Sequence, residues 1–167
     1  YSEIARILGL NSVAERYADI AKKMAMKWEE MANEGDHYRL AFDRNNTWSQ
    51  KYNIIWDKMW NLNIFPNNVI SKEINYYLTK QNLYGLPLDS RRDYTKSDWI
   101  MWTAAMSPNR EIFEKFVDPL YKYINETTSR VPISDWHDTK TGRMTGFKAR
   151  SVIGGYWIQV LMDKMNH

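Results

Sequence analysis

Ser97-Asp98-Trp99-Ile100-Met101-Trp102-Thr103-Ala104-Ala105-Met106 is followed, after only Ser107-Pro108, by Asn109-Arg110-Glu111-Ile112-Phe113-Glu114-Lys115-Phe116-Val117-Asp118. The first run is apolar nearly all the way round a helical wheel. The second mixes apolar and charged residues at helical spacing. A helix that is apolar on every side is buried on every side, whereas an amphipathic helix keeps one face in water. Two such helices joined by a tight turn fold back on one another as a hairpin with an inner and an outer member.

The same contrast recurs on either side. Val13, Tyr17, Ile20, Met24, Trp28 and Met31 recur at steps of three and four, which predicts a long amphipathic helix ending near Gly35, with Ser12 and Glu15 placed as a capping box. An apolar inner helix is expected over 49–60 (Ile54, Ile55, Trp56, Met59), and an outer one over 66–81, opened by Pro66. The quoted pair spans 97–106 and 109–127, with a kink expected at Pro119. A last inner helix is expected over 150–165 (Val152, Ile153, Tyr156, Trp157). Tyr1 to Leu8 reads as the closing turns of a helix stopped by Gly9, so the chain is expected to start inside an element of a longer protein. No stretch alternates convincingly as a strand, and the class is all-α, one domain over 1–167.

Connections alternate in length. Long ones cover 33–48, 82–96 and 128–148, and short ones cover 61–65 and 107–108. In successive antiparallel hairpins, alternate connections lie at the same end, so the three long loops are expected on one face. Three hairpins of this kind amount to about half of a six-hairpin α/α toroid, with a simple helix bundle as the alternative.

The chain of 167 residues is 44% hydrophobic and 26% charged, ordinary values for a folded domain. It has no cysteine, which excludes a disulfide framework, a thiolate metal site and a cysteine nucleophile. The net charge of +3 comes from basic residues scattered among acidic ones, so no nucleic-acid partner is expected. No apolar run approaches the roughly 18 residues of a membrane span, so no membrane partner is expected either. Eight Trp and eleven Tyr exceed the usual need of a core this size. They suit sugar-like or amphipathic ligands and tight interfaces, or else a wide core between helices.

The long loops hold carboxylates, cations and aromatic rings and run into the N-termini of the inner helices, where partial positive charge favours anions. The catalytic candidates are Asp43, Asp135 and Asp98, with Asp43 or Asp135 expected to handle the proton. The substrate-binding candidates are Trp48 as an apolar wall, and Lys51, Arg150, Arg91 and Trp136. Simpler roles stand beside these: Asp98 as a helix cap, and an Asx-turn at Asp135 or Asp138. Ser49 and Lys51 read as a hydroxyl nucleophile with a lysine base, or, with greater weight, Ser49 reads as an N-cap. His37 and His137 lack a third ligand at metal spacing, so neither a metal nor a cofactor is expected. Asn45 and Asn125 head N-x-Thr sequons.

Gly35-Asp36-His37-Tyr38-Arg39-Leu40-Ala41-Phe42-Asp43, Thr47-Trp48-Ser49-Gln50-Lys51-Tyr52-Asn53, Tyr84-Gly85-Leu86-Pro87-Leu88-Asp89, Asp138-Thr139-Lys140-Thr141-Gly142 and Ala149-Arg150-Ser151-Val152-Ile153-Gly154-Gly155 together resemble the glutaminase A family. The resemblance runs along essentially the whole chain. It implies hydrolysis of L-glutamine to L-glutamate and ammonia, an extracellular or periplasmic setting, and a place as the last half of a six-hairpin domain. The N-terminal remainder of the same protein is then the first partner. His137 stands where relatives are expected to carry Tyr. Two other functions remain open: a carbohydrate-active enzyme with a glycan substrate, and a non-catalytic binding or structural module. A half ring leaves inner-helix surface uncovered, so the fragment alone is expected to be inactive and to self-associate.

Overall fold

A computed structural model describes residues 1–165 of the chain. Helix α1 (Ser2–Ile7) turns at Gly9, whose φ of +75° suits a residue without a side chain, into the long helix α2 (Asn11–Ala32). A 3₁₀ turn at Tyr52–Ile54 leads into α3 (Ile55–Met59), and α4 (Asn67–Leu78) runs back. Then come α5 (Ser97–Ala105) and α6 (Arg110–Glu126), and last a 3₁₀ stretch, Ser151–Trp157, continuing as α7 (Ile158–Met165). Among the described residues no helix is long and apolar enough to cross a membrane.

Helix α5 is the hub. It packs against α3, α6, α7 and both 3₁₀ segments. Its buried residues Ser97, Asp98, Ile100, Met101, Thr103, Ala104 and Ala105 cover every side of the helix, as its all-round apolar pattern requires. Around it, Tyr38, Ile55, Val69, Tyr77, Leu86, Phe116 and Tyr123 are buried without residual exposure. Helix α6 buries Phe116, Leu120 and Tyr123, and its cap, Asn109, accepts a hydrogen bond from the Ile112 N–H at 3.0 Å. It continues through Pro119 to Glu126, so the expected kink does not end it.

Several sequence expectations need correction. Residues 49–51 are not helical, because their backbone is taken by other partners. Ser49 bridges Asp89, the Gln50 N–H donates to Leu88 O at 2.8 Å, and the Lys51 N–H donates to the Tyr77 hydroxyl at 2.8 Å. The last inner element is 3₁₀ up to Trp157, where Gly155 lets the backbone press close to the Asp98 and Trp102 side chains. It is also not buried on every side: Trp157 is 69% exposed, and Val160 and Leu161 are about half exposed. Ser12 caps nothing, since the α2 cap position is Leu10 and no side-chain bond is made there.

The chain also contains a small sheet that sequence alternation did not reveal. Strands β1 (Tyr94–Lys96) and β2 (Trp136–Asp138) pair antiparallel with Thr95 opposite His137. Three-residue strands are too short to show a period. They join the second long loop to the third, reinforced by Tyr84 N–H to Thr139 O at 2.8 Å and Thr139 N–H to Asp93 O at 2.7 Å. The Ser49–Asp89 bridge joins the first loop to the second. All three long loops therefore lie on one face, as the alternation of connection lengths requires.

Truncating the hub tests its role. Ile100→Ala is expected to lower unfolding free energy by about 2–5 kcal/mol, read as a shifted urea midpoint at unchanged slope. A loss under about 1 kcal/mol would mean that α5 is not the element on which the packing rests.

Candidate functional site

Where the loops meet, an open cavity of about 340 Å³ is lined by Ser49, Lys51, Tyr52, Asp89, Arg91 and Trp99, among others. Tyr52 and Trp99 stack with centroids 4.1 Å apart and planes 9° from parallel, forming a flat aromatic wall. Asp89 is buried and grips Arg91 in a fork, with Arg91 Nε to Oδ1 at 2.9 Å and Nη2 to Oδ2 at 2.7 Å. That fork fixes the orientation of a guanidinium whose side chain is still 56% exposed. A neighbouring hollow shares Ser49 and Lys51 and adds Arg39, Phe42 and Asp43.

At the first turn of α5, next in sequence to the cavity-lining Trp99, stands a second polar group. Asp135, 1% exposed, lies between Lys96 Nζ at 3.0 Å and Arg150 Nη1 at 3.2 Å. Lys96 also stands over the Trp136 ring at 4.4 Å. Asp98 is buried and its Oδ1 has no hydrogen-bond partner among the described residues. Burial pushes its carboxyl up to about 6, and the nearby Asp135 charge adds to the rise while Lys96 opposes it. Burial, and then the charge of Asp98, raise the Tyr52 hydroxyl.

The structure brings together Asp98, Asp135, Arg150 and Trp136 in one group, and Lys51 and Arg91 in the adjoining cavity. Asp43 stands apart from Asp98, exposed in the neighbouring hollow. Trp48 is corrected: it is only 7% exposed, packs against Tyr76 and Tyr77, and belongs to the core rather than to a substrate wall. Lys51 is also corrected as a direct ligand for a carboxylate. Its Nζ lies against Tyr38 O at 3.2 Å, Ser49 O at 3.0 Å and Ser49 Oγ at 2.9 Å, so all its hydrogen-bonding positions are taken within the protein. Lys96 holds the cap position of α5, and the Asp98 carboxyl sits against the first-turn N–H groups of Asp98 and Trp99, which partly oppose its rise. The Asx-turn belongs to Asp138, whose Oδ1 accepts from the Lys140 and Thr141 N–H groups.

Sequence reasoning missed Lys96, Tyr52 and Glu73. Lys96 precedes Asp98 by two residues and reads as loop charge. Glu73 lies on the outer helix α4, where a carboxylate signals solvent, yet it is 2% exposed and accepts from the Tyr38 N–H at 2.7 Å. His37 and His137 have separate partners. His37 stacks on Tyr76, and His137 stacks on Tyr123 with Nε2 2.8 Å from Tyr84 O. Among the described residues no group of three or more His, Asp or Glu is placed to hold a metal ion.

The glutaminase A six helical-hairpin domain matches residues 1–160 of this sequence. The chain belongs to that family. Glutaminase A of Aspergillus oryzae is 31% identical over 166 residues, which is 95% of this chain and 24% of the relative. A protein of Arthroderma benhamiae named "Probable glutaminase" is 27% identical over 195 aligned residues, covering 98% of this chain and 22% of the relative. The chain thus spans about a quarter of the length of these relatives. No solved structure matches it. The mostly helical fold is consistent with the helical hairpins of that family's domain.

Two buried groups give the domain opposing responses to acid. Asp98 is raised on folding to about 6, so its stabilising contribution is complete below its unfolded value near 3.8 and is lost as pH rises through 6. His137 is lowered by burial to about 4, so its contribution is present above 6.5 and lost as pH falls through 4. Between pH 4 and 6 the two slopes offset each other. Asp98→Asn removes one of them, so from pH 6.5 to 4 its unfolding free energy should fall by about 3 kcal/mol more than that of the wild type. Parallel urea-midpoint curves for the two proteins would refute the raised carboxyl.

Proposed function

We propose that the domain forms part of a hydrolase that converts L-glutamine to L-glutamate and ammonia, with the loop face as the reaction site. One observation carries the reaction type: a buried carboxyl at the first turn of α5, raised to about 6, immediately before the cavity-lining Trp99. Such a group is partly protonated at neutral pH and suits the protonation of a leaving nitrogen and the later deprotonation of water. Asp135, held between Lys96 and Arg150, keeps Asp98 in that range and acts as a positioning residue. Arg91, aimed by Asp89, is the fork for the α-carboxylate of an amino-acid substrate. The names of the relatives support glutamine as that substrate. The proposal concerns the whole protein, in which this domain is one half of an α/α toroid working outside the cytoplasm.

A second reading has its own support. The Tyr52–Trp99 stack lines the same cavity, and a flat aromatic wall of this kind also suits a sugar ring.

Ammonia release by the full-length protein decides between them. With L-glutamine, Asp98→Asn is expected to lower kcat by about 10²–10⁴-fold without lowering the melting temperature at pH 7. Arg91→Met is expected to act mainly on KM. Near-normal turnover in Asp98→Asn would overturn the acid–base assignment. Release of sugar from a glycan panel with no ammonia from glutamine would establish the second reading instead.

A further inference from the structure

Ser49 and Lys51 take no part in the Asp98 chemistry, yet both face the cavity and the neighbouring hollow. In a helix, residues two apart point to nearly opposite sides. Here the segment is non-helical, with Ser49 bridged to Asp89 and the Lys51 N–H bonded to Tyr77, so the Lys51 side chain is free to turn back to the side of Ser49. That is why the Lys51 Nζ reaches the Ser49 Oγ at 2.9 Å. We propose that Ser49 is the nucleophile of the hydrolysis and Lys51 its general base, so that the reaction passes through an ester on Ser49. This rests on the hydrolase reading above and adds a covalent step to it.

The surroundings suit a lysine that gives up its proton. Its side chain is 13% exposed, and burial lowers it below the ordinary lysine range, opposed by the charges of Glu73 and Asp89. The nearest carboxylate oxygen is Glu73 Oε2 at 3.9 Å, and burial raises Glu73 in turn. Lysine and glutamate therefore both move towards their neutral forms. The Tyr77 hydroxyl accepts from the Lys51 N–H and bonds Glu73 and the Ser49 carbonyl, so one buried phenol sets the backbone of both proposed catalytic residues. Tyr77 and Glu73 are positioning residues in this scheme.

The proton count closes. Ser49 Oγ bonds to the substrate's side-chain amide carbon while its proton passes to neutral Lys51. The C–N bond then breaks, and Asp98 gives its proton to the departing nitrogen, which leaves as ammonia. Water attacks the ester carbon and returns a proton to Asp98. The Oγ–C bond breaks, and Lys51 returns its proton to Ser49. The net change is amide plus water to acid plus ammonia.

The test is covalent labelling of the full-length protein with a fluorophosphonate probe, followed by mass spectrometry of the peptide containing Ser49. Wild type should carry the label on Ser49, and Lys51→Met should label at least about tenfold more slowly. The wild-type labelling rate should climb with pH to a plateau below the titration of an ordinary lysine, near 10.4. Ser49→Ala should melt within a few degrees of wild type and lose about 10³-fold or more in ammonia release. An unlabelled Ser49 in the folded wild type, a labelling rate that ignores pH, or normal turnover in Ser49→Ala would each overturn the proposal. If Lys51→Met does not fold, the wild-type pH profile carries the test. Lysine-dependent labelling of Ser49 without ammonia release would keep the nucleophile and remove glutamine as its substrate.

Discussion

The side chain of Gln50, 4% exposed, holds the loop face to the helices. Its Nε2 lies 3.2 Å from Leu86 O, 3.0 Å from Pro87 O and 3.3 Å from Thr95 Oγ1, and its Oε1 accepts from the Thr103 hydroxyl at 3.0 Å. One amide thus ties the first long loop to the second, to strand β1 and to the hub helix. Leu86 and Pro87 cross a buried region where an unpaired carbonyl costs about 1–3 kcal/mol. Gln50 satisfies both, and its placement between Ser49 and Lys51 turns those two side chains the other way, towards the cavity. The inner helix can begin only at Tyr52 because the three residues before it serve this seam.

Legibility from sequence followed the physics of each segment. The α5–α6 hairpin was plain because two long periodic runs met at a tight turn, and burial on all sides is written in composition. Loop placement was legible too, since it depends only on the parity of connections. The segment at 49–51 was not, because its partners are more than 25 residues away in sequence (Tyr77, Asp89). Periodicity records only local structure. The same holds for Ser151–Trp157, which is apolar enough for an inner helix but wound as 3₁₀ where Gly155 closes on Trp102.

Among the site candidates, Asp98 and Arg150 stand at helix starts and Asp135 stands just before strand β2, and the three come together in the fold. Trp48 misled because a loop tryptophan looks available, while this one faces Tyr76 and Tyr77. Glu73 was invisible for the opposite reason. A single carboxylate on an amphipathic helix carries no mark of being turned inward. The electrostatic character of the face follows from this unequal treatment of acids: Asp135 and Asp89 are matched by cations, whereas Asp98 and Glu73 are buried with less compensation and shift towards the neutral acid.

The backbone seam between the loops carries a consequence for motion. Gln50 to Leu88, Ser90 to Trp48, Ser97 to Asp135 and Thr139 to Asp93 are main-chain hydrogen bonds that cross from one loop to another or from a loop to α5. Ordinary surface loops open almost freely, but amides locked in this way open only when the elements behind them do. Their hydrogen exchange then tracks the slowest amides of α5. A face stitched like this has no hinge of its own, so it moves with the helices behind it rather than as a lifting lid.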